Sequence, residues 1–169
     1  MIVDGLHLAQ TPLQLELFDE FIDDYSIATF IELGVYKGGL ANIMIKKQSP
    51  TFKYYGYEFN RAELHSRMVD AEEISIADAN DSATIAKVKS IVDASEGAVY
   101  ILCDTNNKPR EMTTYSRLLR LGDLLEGHDF PGEVSAEFLD EFGKSHPELE
   151  EINREEYRES GFTLWRKIV

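Results

Sequence analysis

The sequence predicts an α/β fold in which a mostly parallel sheet has helices on both faces. Short apolar runs alternate with segments whose apolar residues recur at helical spacing. The run Ala98–Cys103 is almost wholly apolar, as a strand covered on both faces must be. The run Thr29–Leu33 leads into a glycine-rich turn, and a strand that passes through such a turn into a helix is typical of open α/β sheets.

The first predicted helix begins after Thr11, because Thr11 can cap it, Pro12 suits its first turn and Gln14 completes a capping box. Apolar residues then recur at helical spacing as far as Tyr25. The same spacing predicts four further helices: Leu40–Lys47, Asp81–Val92, a segment from near Pro109 to Leu119, and Glu133–Phe142.

The predicted strands lie between these helices, and several of them end at an acidic residue. They are Thr29–Leu33, Lys53–Phe59, Glu73–Ala77, Ala98–Cys103, the weaker Leu121–Phe130 and the terminal Phe162–Val169, with a further short strand near Leu149–Asn153 left open. Repeated alternation of strand and helix predicts a Rossmann-like, doubly wound, mostly parallel sheet. The length fits one domain over residues 1–169, with residues 1–10 as an N-terminal arm.

The composition narrows the choice of partner and compartment. The chain carries 31 acidic and 17 basic residues, a formal net charge of −14, and such a surface repels phosphate backbones and anionic membranes. We therefore expect neither nucleic acid nor a membrane as a partner. The single cysteine, Cys103, suits a reducing compartment, and the sequence shows neither a membrane-spanning stretch nor a signal-peptide pattern. We expect a cytoplasmic protein.

The N-terminal arm carries four apolar residues and few polar ones. These are Ile2, Val3, Leu6 and Leu8. Because such side chains must be buried, the arm packs either on its own domain or on a neighbouring copy. We expect a homo-oligomer, and an arm packed on its own sheet is the alternative.

Polar residues stand where the predicted strands end. Ligands of open α/β sheets bind beyond the carboxyl ends of the strands, so these residues are expected to meet at one crevice. Glu32 and Gly34 follow the first strand, Glu58 the second, Asp78 the third, Asp104 the fourth, and His128 with Asp129 the fifth.

The turn Gly34–Gly39 has glycines at positions 34, 38 and 39. The G-x-G-x-x-G fingerprint is absent, which argues against a nicotinamide or flavin cofactor. An acid, Glu32, followed by spaced glycines resembles the first motif of class I S-adenosylmethionine (SAM) dependent methyltransferases. Glycine in that motif lets the backbone approach the amino acid end of SAM.

The whole chain resembles this class, and within it the cephalosporin hydroxylase-like and rhamnosyl O-methyltransferase-like group. Four segments carry the resemblance: the leader Gly5–Pro12, the loop Phe30–Gly39, the strand end Leu102–Asp104 with the helix after it, and Gly122–Asp129. The resemblance implies an enzyme that transfers a methyl group from SAM to an oxygen of a small molecule or sugar, often with a divalent metal on the acceptor oxygen.

The cofactor contacts that the resemblance implies lie on the first three strand ends. A carboxylate with two acceptor oxygens suits ribose hydroxyls, which is the role expected of Glu58, and Asp78 is expected near adenine. Each residue also has a purely structural alternative, such as a turn glycine, a helix cap or a surface ion pair. The expected cofactor-binding residues are Glu32, Gly34, Tyr36, Gly38, Glu58 and Asp78.

Asp104, His128 and Asp129 are the expected metal ligands, and Asp104 and His128 the expected catalytic residues. Two carboxylates and an imidazole tolerate magnesium or manganese, which would lower the pKa of an acceptor hydroxyl. Without a metal, His128 could serve as the base. Glu126 is the alternative ligand if the fifth strand is shifted.

Three positions depart from the pattern of this group. Asn106 and Asn107 stand near the place of an Asp-His pair, His128 replaces a carboxylate, and Leu40 stands where a serine usually follows the glycines. These changes leave a second hypothesis open, a degenerate SAM-fold binding or assembly protein without methyl transfer.

Overall fold

One sheet of seven strands organises the structure, a computed structural model that describes residues 1–152 and 154–169. The strands of this sheet are β3 (Ile27–Leu33), β4 (Lys53–Glu58), β5 (Ile74–Ile76), β6 (Ala98–Cys103), β7 (Leu124–His128), β8 (Leu149–Ile152) and β9 (Phe162–Lys167), and a separate hairpin comprises β1 (Ile2–Val3) and β2 (Leu6–His7).

The order of the strands across the sheet is β5-β4-β3-β6-β7-β9-β8. The first five of these are parallel to one another, whereas β9 runs antiparallel to both β7 and β8. The chain moves outward from β3 through β4 to β5 and then restarts on the other side at β6. This reversal places a crevice at the carboxyl ends of β3 and β6.

Helices cover both faces of the sheet. They are α1 (Pro12–Asp24), α2 (Gly39–Lys47), α3 (Ser82–Ala94), α4 (Lys108–Tyr115) with a 3₁₀ turn at Ser116–Leu118, α5 (Ala136–Ser145) and α6 (Arg154–Ser160). The predicted capping box of α1 is confirmed: the Thr11 hydroxyl accepts from the backbone N–H of Gln14 at 3.2 Å, and the Gln14 side chain accepts from the Thr11 N–H at 2.8 Å.

The predicted α/β fold with a mostly parallel sheet is confirmed, and the structure differs in detail at the carboxyl end of the chain. The fifth strand begins at Leu124 and not at Leu121, because a turn with Gly122 at a positive φ of 89° precedes it. The short strand left open is present as Leu149–Ile152, and the Asn153 end of that prediction lies outside the described residues.

The core lies on both faces of the sheet. On the α1 face, aromatic rings pack together, with Phe30 stacked on Tyr100 at 4.8 Å between ring centroids and Phe18 stacked on Phe162 at 5.9 Å. The other face mixes aliphatic and aromatic side chains and packs against α3, α4 and α5. Burying each of these large side chains contributes roughly 1.5–3 kcal/mol, so the central strands hold the crevice residues in place.

The N-terminal arm packs on its own domain. Leu6 and Leu8 are fully buried, Asp4 pairs with Lys46 at 2.5 Å, and Arg67 donates to the Asp4 carbonyl at 2.6 Å. The burial of Leu6 and Leu8 within the same chain removes most of the reason for which association was expected, and of the four apolar residues Ile2 remains 74% exposed. The homo-oligomer therefore stays a prediction without support from the arm.

Among the described helices, none combines the length and the apolar character that a membrane crossing requires.

Candidate active site

Gly34 lies after β3 at the point where the ends of β3 and β6 come together. Its φ is +99°, and a Cβ at this position would lie 2.5 Å from the carbonyl oxygen of Asp104. The Gly34 N–H donates to the carbonyl of Tyr57 at 2.9 Å, and the Asp104 N–H donates to that of Leu33 at 2.8 Å. Only glycine allows β3 and β6 to come this close, and the crevice forms at this contact.

The two other glycines of the turn position helix α2 and the arm. Gly38 is the N-cap of α2 at a φ of +83°, and a Cβ on Gly39 would overlap the His7 carbonyl. The arm therefore lies directly against the N-terminus of α2. Between them is a narrow space of about 20 Å³, lined by His7, Gln10, Glu32, Gly34, Gly39 and Asp104 among others.

Glu58 holds the turn through both carboxylate oxygens. One oxygen accepts the backbone N–H of Tyr36 and the other that of Asn60, both at 2.8 Å. The residue is 8% exposed at the end of β4. Each carboxylate oxygen can accept a further hydrogen bond, so this anchoring is compatible with two ligand hydroxyls.

An open cleft of about 210 Å³ lies across the ends of β4, β5 and β6. Tyr57, Phe59, Asp78, Asn107 and the backbone between them line it. The Tyr57 hydroxyl is buried and lacks a hydrogen-bond partner among the described residues, and the Phe59 ring is 72% exposed. A flat ligand in this cleft would meet the exposed apolar ring of Phe59, whereas the Tyr57 hydroxyl lies beneath the surface.

Glu32 lies deeper than the other predicted cofactor residues. It is 1% exposed and accepts a short hydrogen bond from the Tyr54 hydroxyl. Burial raises the pKa of Glu32 well above its ordinary value, and the nearby charges of Asp104 and Glu58 add to this effect. A cationic ligand group beside Glu32 would oppose the shift and favour the carboxylate.

Asp104, His128 and Asp129 come together as predicted from their strand ends, with one ligand-capable atom of each within 4.8 Å of the others. Nδ1 of His128 lies 3.4 Å from Oδ1 of Asp104 and 3.1 Å from Oδ1 of Asp129. These are ion-pair distances, but the N–H direction aims well at neither carboxylate, so Nδ1 makes no hydrogen bond of good geometry.

Gln14 contacts the other nitrogen of His128. The oxygen of the Gln14 amide is used in the cap of α1, and its nitrogen donates to the Ser160 carbonyl at 2.8 Å and lies 3.3 Å from Nε2 of His128. Neither ring nitrogen therefore faces the open crevice. This geometry favours a positioning role for His128, and the predicted role as a base stays a prediction.

The charge of His128 depends on opposing contacts. Burial alone would lower the pKa of His128, but Asp104 and Asp129 outweigh it and raise the pKa to about 10. Gln14 works against protonation, because its amide N–H faces Nε2 and favours a free lone pair there. The attraction of the two carboxylates for a protonated ring outweighs the effect of Gln14, so the pKa of His128 is raised.

Lys108 enters the cluster from the first turn of α4. Its Nζ lies 2.9 Å from Oδ2 of Asp129, 3.0 Å from Oε2 of Glu133 and 3.4 Å from Oδ1 of Asp104, and it donates to the Thr105 carbonyl at 2.9 Å. Burial lowers the pKa of Lys108, but the three carboxylates outweigh it and raise the pKa above its usual range. The residue is an ammonium at neutral pH.

Glu126, the alternative ligand of the sequence analysis, points elsewhere. It is fully buried within β7 and accepts a short hydrogen bond from the Tyr100 hydroxyl. Burial raises the pKa of Glu126 to about 8. The strand is not shifted, so His128 and not Glu126 occupies the strand end.

The predicted residues thus lie along the carboxyl edge of the sheet. Glu32, Gly34, Tyr36 and Asp104 line the narrow space, Asp78 lines the outer cleft, and His128 and Asp129 lie beside Asp104. Sequence reasoning missed Lys108 and Gln14. Lys108 stands four residues after Asp104 and beside a helix-starting proline, a spacing that could have drawn attention to it. Gln14 was assigned only to its cap, and nothing in the sequence connects it to His128.

Comparisons with known proteins place this fold among methyltransferases. The apo structure of CmcI is similar at a TM-score of 0.72 and 17% identity over 100% of this chain and 76% of its own. The Mg-SAM complex of CmcI is similar at 0.70 and 17%, over 100% and 77% of the two chains. The O-methyltransferase TomG from Streptomyces achromogenes, in complex with SAM, is similar at 0.57 and 14%, over 99% and 84%.

No protein-family model matches the chain, and no curated protein matches it in sequence. At these identities the structural likeness shows the fold. The chain has the Rossmann-like fold of these methyltransferases, with a sheet of seven strands.

Proposed function

We propose that this chain is an enzyme that transfers a methyl group from SAM to a hydroxyl of a small molecule. The observation that carries the proposal is the crevice itself, in which Gly34, Glu58 and Asp78 follow three neighbouring strands of a methyltransferase-like sheet. Support comes from CmcI and TomG, whose solved structures include complexes with SAM.

The residues present fit SAM. Gly34 and the N-terminus of α2 would offer a close backbone approach for the amino acid end once the arm, which leaves only about 20 Å³ there, has moved. Glu58 retains acceptor capacity for two ribose hydroxyls. Tyr57 and the exposed Phe59 line the cleft beside Asp78, where the adenine would lie. Tyr36 flanks the crevice with a ring that is 47% exposed.

When bound, SAM supplies an electrophilic methyl group on its sulfonium. The chain must hold the acceptor oxygen in line with that methyl and take up its proton. Oδ1 of Asp104 is the oxygen nearest to both His128 and Lys108, and Oδ2 accepts no hydrogen bond from the described residues. We assign Oδ2 of Asp104 as the atom that accepts a hydrogen bond from the hydroxyl group that is to be methylated.

Calorimetric titration with S-adenosylhomocysteine tests the cofactor site. Glu58→Gln should weaken binding roughly 10- to 100-fold, because a hydrogen bond to a charged partner contributes about 1.5–3 kcal/mol. Glu63→Gln is the matched control, since Glu63 lies in the same loop and pairs on the surface with Lys37. A thermal melt of each variant separates lost binding from lost folding.

Two results would contradict this assignment. A wild-type chain that binds neither SAM nor S-adenosylhomocysteine would exclude the function. Equal affinities for the wild type and a folded Glu58→Gln variant would leave the ribose contact without support.

A second candidate is a SAM-binding protein without methyl transfer. The surroundings of His128 favour it, because Nε2 lies against the Gln14 amide and Nδ1 is buried beside the carboxylates of Asp104 and Asp129. Incubation with methyl-labelled SAM and a pool of hydroxylated small molecules separates the two functions. Label transfer that Asp104→Asn abolishes supports the enzyme, whereas tight SAM binding without transfer to any member of the pool supports the second candidate.

A further inference from the structure

We infer that the ammonium of Lys108 takes the place of a divalent cation beside Asp104 and Asp129, so that this crevice works without a bound metal. The fold is shared with CmcI, whose structures include a complex with magnesium, and a metal was expected here from the sequence. The role of Lys108 in catalysis rests on the proposed function, whereas the inference that the site binds no metal does not depend on it.

The contacts of Lys108 match what an ammonium can make. It has three N–H groups, and three oxygens lie within 3.0 Å of Nζ: the Thr105 carbonyl, Oδ2 of Asp129 and Oε2 of Glu133. Oδ1 of Asp104 lies slightly farther away at 3.4 Å. The cation is thus fully coordinated by protein oxygens, and its side chain is only 3% exposed.

The position of Lys108 in α4 shows that the carboxylates hold it there. It occupies the first turn of the helix, where the helix dipole disfavours a positive charge. A lysine at such a place would normally extend into solvent. Its burial against Asp104, Asp129 and Glu133 is therefore stabilised by these three charges.

A divalent ion cannot share these ligands with Lys108. Magnesium requires oxygens at about 2.0–2.1 Å in a near-octahedral arrangement. Oδ2 of Asp129 and Oδ1 of Asp104 lie 2.9 Å and 3.4 Å from Nζ, and Oδ1 of Asp129 lies 3.1 Å from Nδ1 of His128, so these oxygens already face the nitrogens of Lys108 and His128. An ion held by these two carboxylates would lie within a few ångströms of a buried positive charge. The residues present therefore fit an ammonium and do not fit a metal while Lys108 is in place.

A fixed cation has a consequence for the proposed reaction. The ammonium balances the charge of the carboxylates, but unlike a metal ion it offers no coordination position to a substrate. It also attracts Oδ1 of Asp104 toward Nζ. Lys108 is therefore a positioning residue for Asp104. Because Nζ is buried among these four oxygens, we do not expect Lys108 to bind the acceptor directly.

Manganese titration, followed by the electron paramagnetic resonance signal of the free ion, tests the inference without SAM or an acceptor. Chelator-treated wild-type protein should bind no manganese beyond weak surface association. Lys108→Met removes the charge and keeps the length of the side chain, and it should bind one equivalent at least ~100-fold more tightly than the wild type. Adding Asp104→Asn to this variant should abolish the gained site.

Lys89→Met is the control for loss of one positive charge from an acidic chain, because Lys89 is exposed on α3 and pairs with Asp93. Lys108→Arg keeps the charge and should bind no more manganese than the wild type. Circular dichroism verifies that each variant is folded.

Two outcomes would overturn the inference. One is a wild-type chain that binds one equivalent of manganese and loses it on Asp104→Asn, a result that needs no Lys108 variant. The other is a folded Lys108→Met variant that binds no more manganese than Lys89→Met. A failure of SAM to bind would refute the proposed function and leave the manganese result standing.

Discussion

Glu126→Gln is expected to stabilise the protein at neutral pH and to have little effect near pH 5. Glu126 is fully buried in β7, where Oε2 accepts from the Tyr100 hydroxyl and Oε1 finds no partner among the described residues. Glutamine keeps the shape and the acceptor, and it cannot ionise. The substitution therefore removes the cost of keeping a carboxyl protonated, or charged, in an apolar environment.

The size of the effect follows from the pKa of Glu126, which burial raises from 4.5 to about 8. Because the folded state holds the proton more tightly than the unfolded state, the stability contributed by Glu126 is fully present below pH 4.5 and is lost as pH rises to about 8. At pH 7 the loss spans about 2.5 pH units, which corresponds to about 3 kcal/mol. At pH 5 it is below about 1 kcal/mol.

Urea denaturation of the wild type and of Glu126→Gln at pH 5 and pH 7 measures this difference. Other buried acids such as Glu32 titrate in both chains, so they cancel in the comparison at each pH. Glu16→Gln, an exposed residue of α1, controls for the loss of one negative charge. The reasoning is refuted if the stability difference between Glu126→Gln and the wild type is the same at both pH values.

Two further predictions concern the crevice and the assembly. Gly34→Ala and Gly122→Ala both place alanine at a positive φ, but only Gly34 has backbone atoms where the Cβ would lie. Thermal or urea unfolding should therefore show a loss of about 1 kcal/mol for Gly122→Ala and at least about 3 kcal/mol for Gly34→Ala, and similar losses would contradict the close approach of β3 and β6. The homo-oligomer predicted from the sequence is tested by light scattering, and a monomer at every concentration would exclude it.

The central strands were predictable because their environment dictates their composition. Ala98–Cys103 agrees with the observed strand end for end, since burial on both faces leaves one continuous apolar run bounded by polar residues. The direction of β9 was not predictable in the same way, because an apolar pattern does not encode whether a strand runs parallel to its neighbour. Helix α6 was missed because its charged residues show no apolar face.

The residues of the candidate site were likewise predictable only in part. Residues that directly follow a strand were found, because the carboxyl ends of parallel strands must meet at one edge of the sheet. Lys108 and Gln14 were missed because their partners are distant in the sequence: Lys108 contacts Glu133, and Gln14 contacts His128. Only packing of the helices on the sheet brings these groups together, and local spacing indicates neither the contact of Lys108 with Glu133 nor that of Gln14 with His128.

The N-terminal arm covers the place where the amino acid end of SAM is proposed to bind. Gly39 lacks a Cβ, so the His7 backbone can lie against the start of α2, and the space left beside Gly34 and Glu32 holds about one water molecule. The amino acid end of SAM is far larger than this. If SAM binds along the proposed line, the arm must therefore shift, and the contacts of Asp4 with Lys46 and Arg67 oppose that shift. The outer cleft beside Asp78 is already open, so the adenine end of SAM can enter before the arm moves.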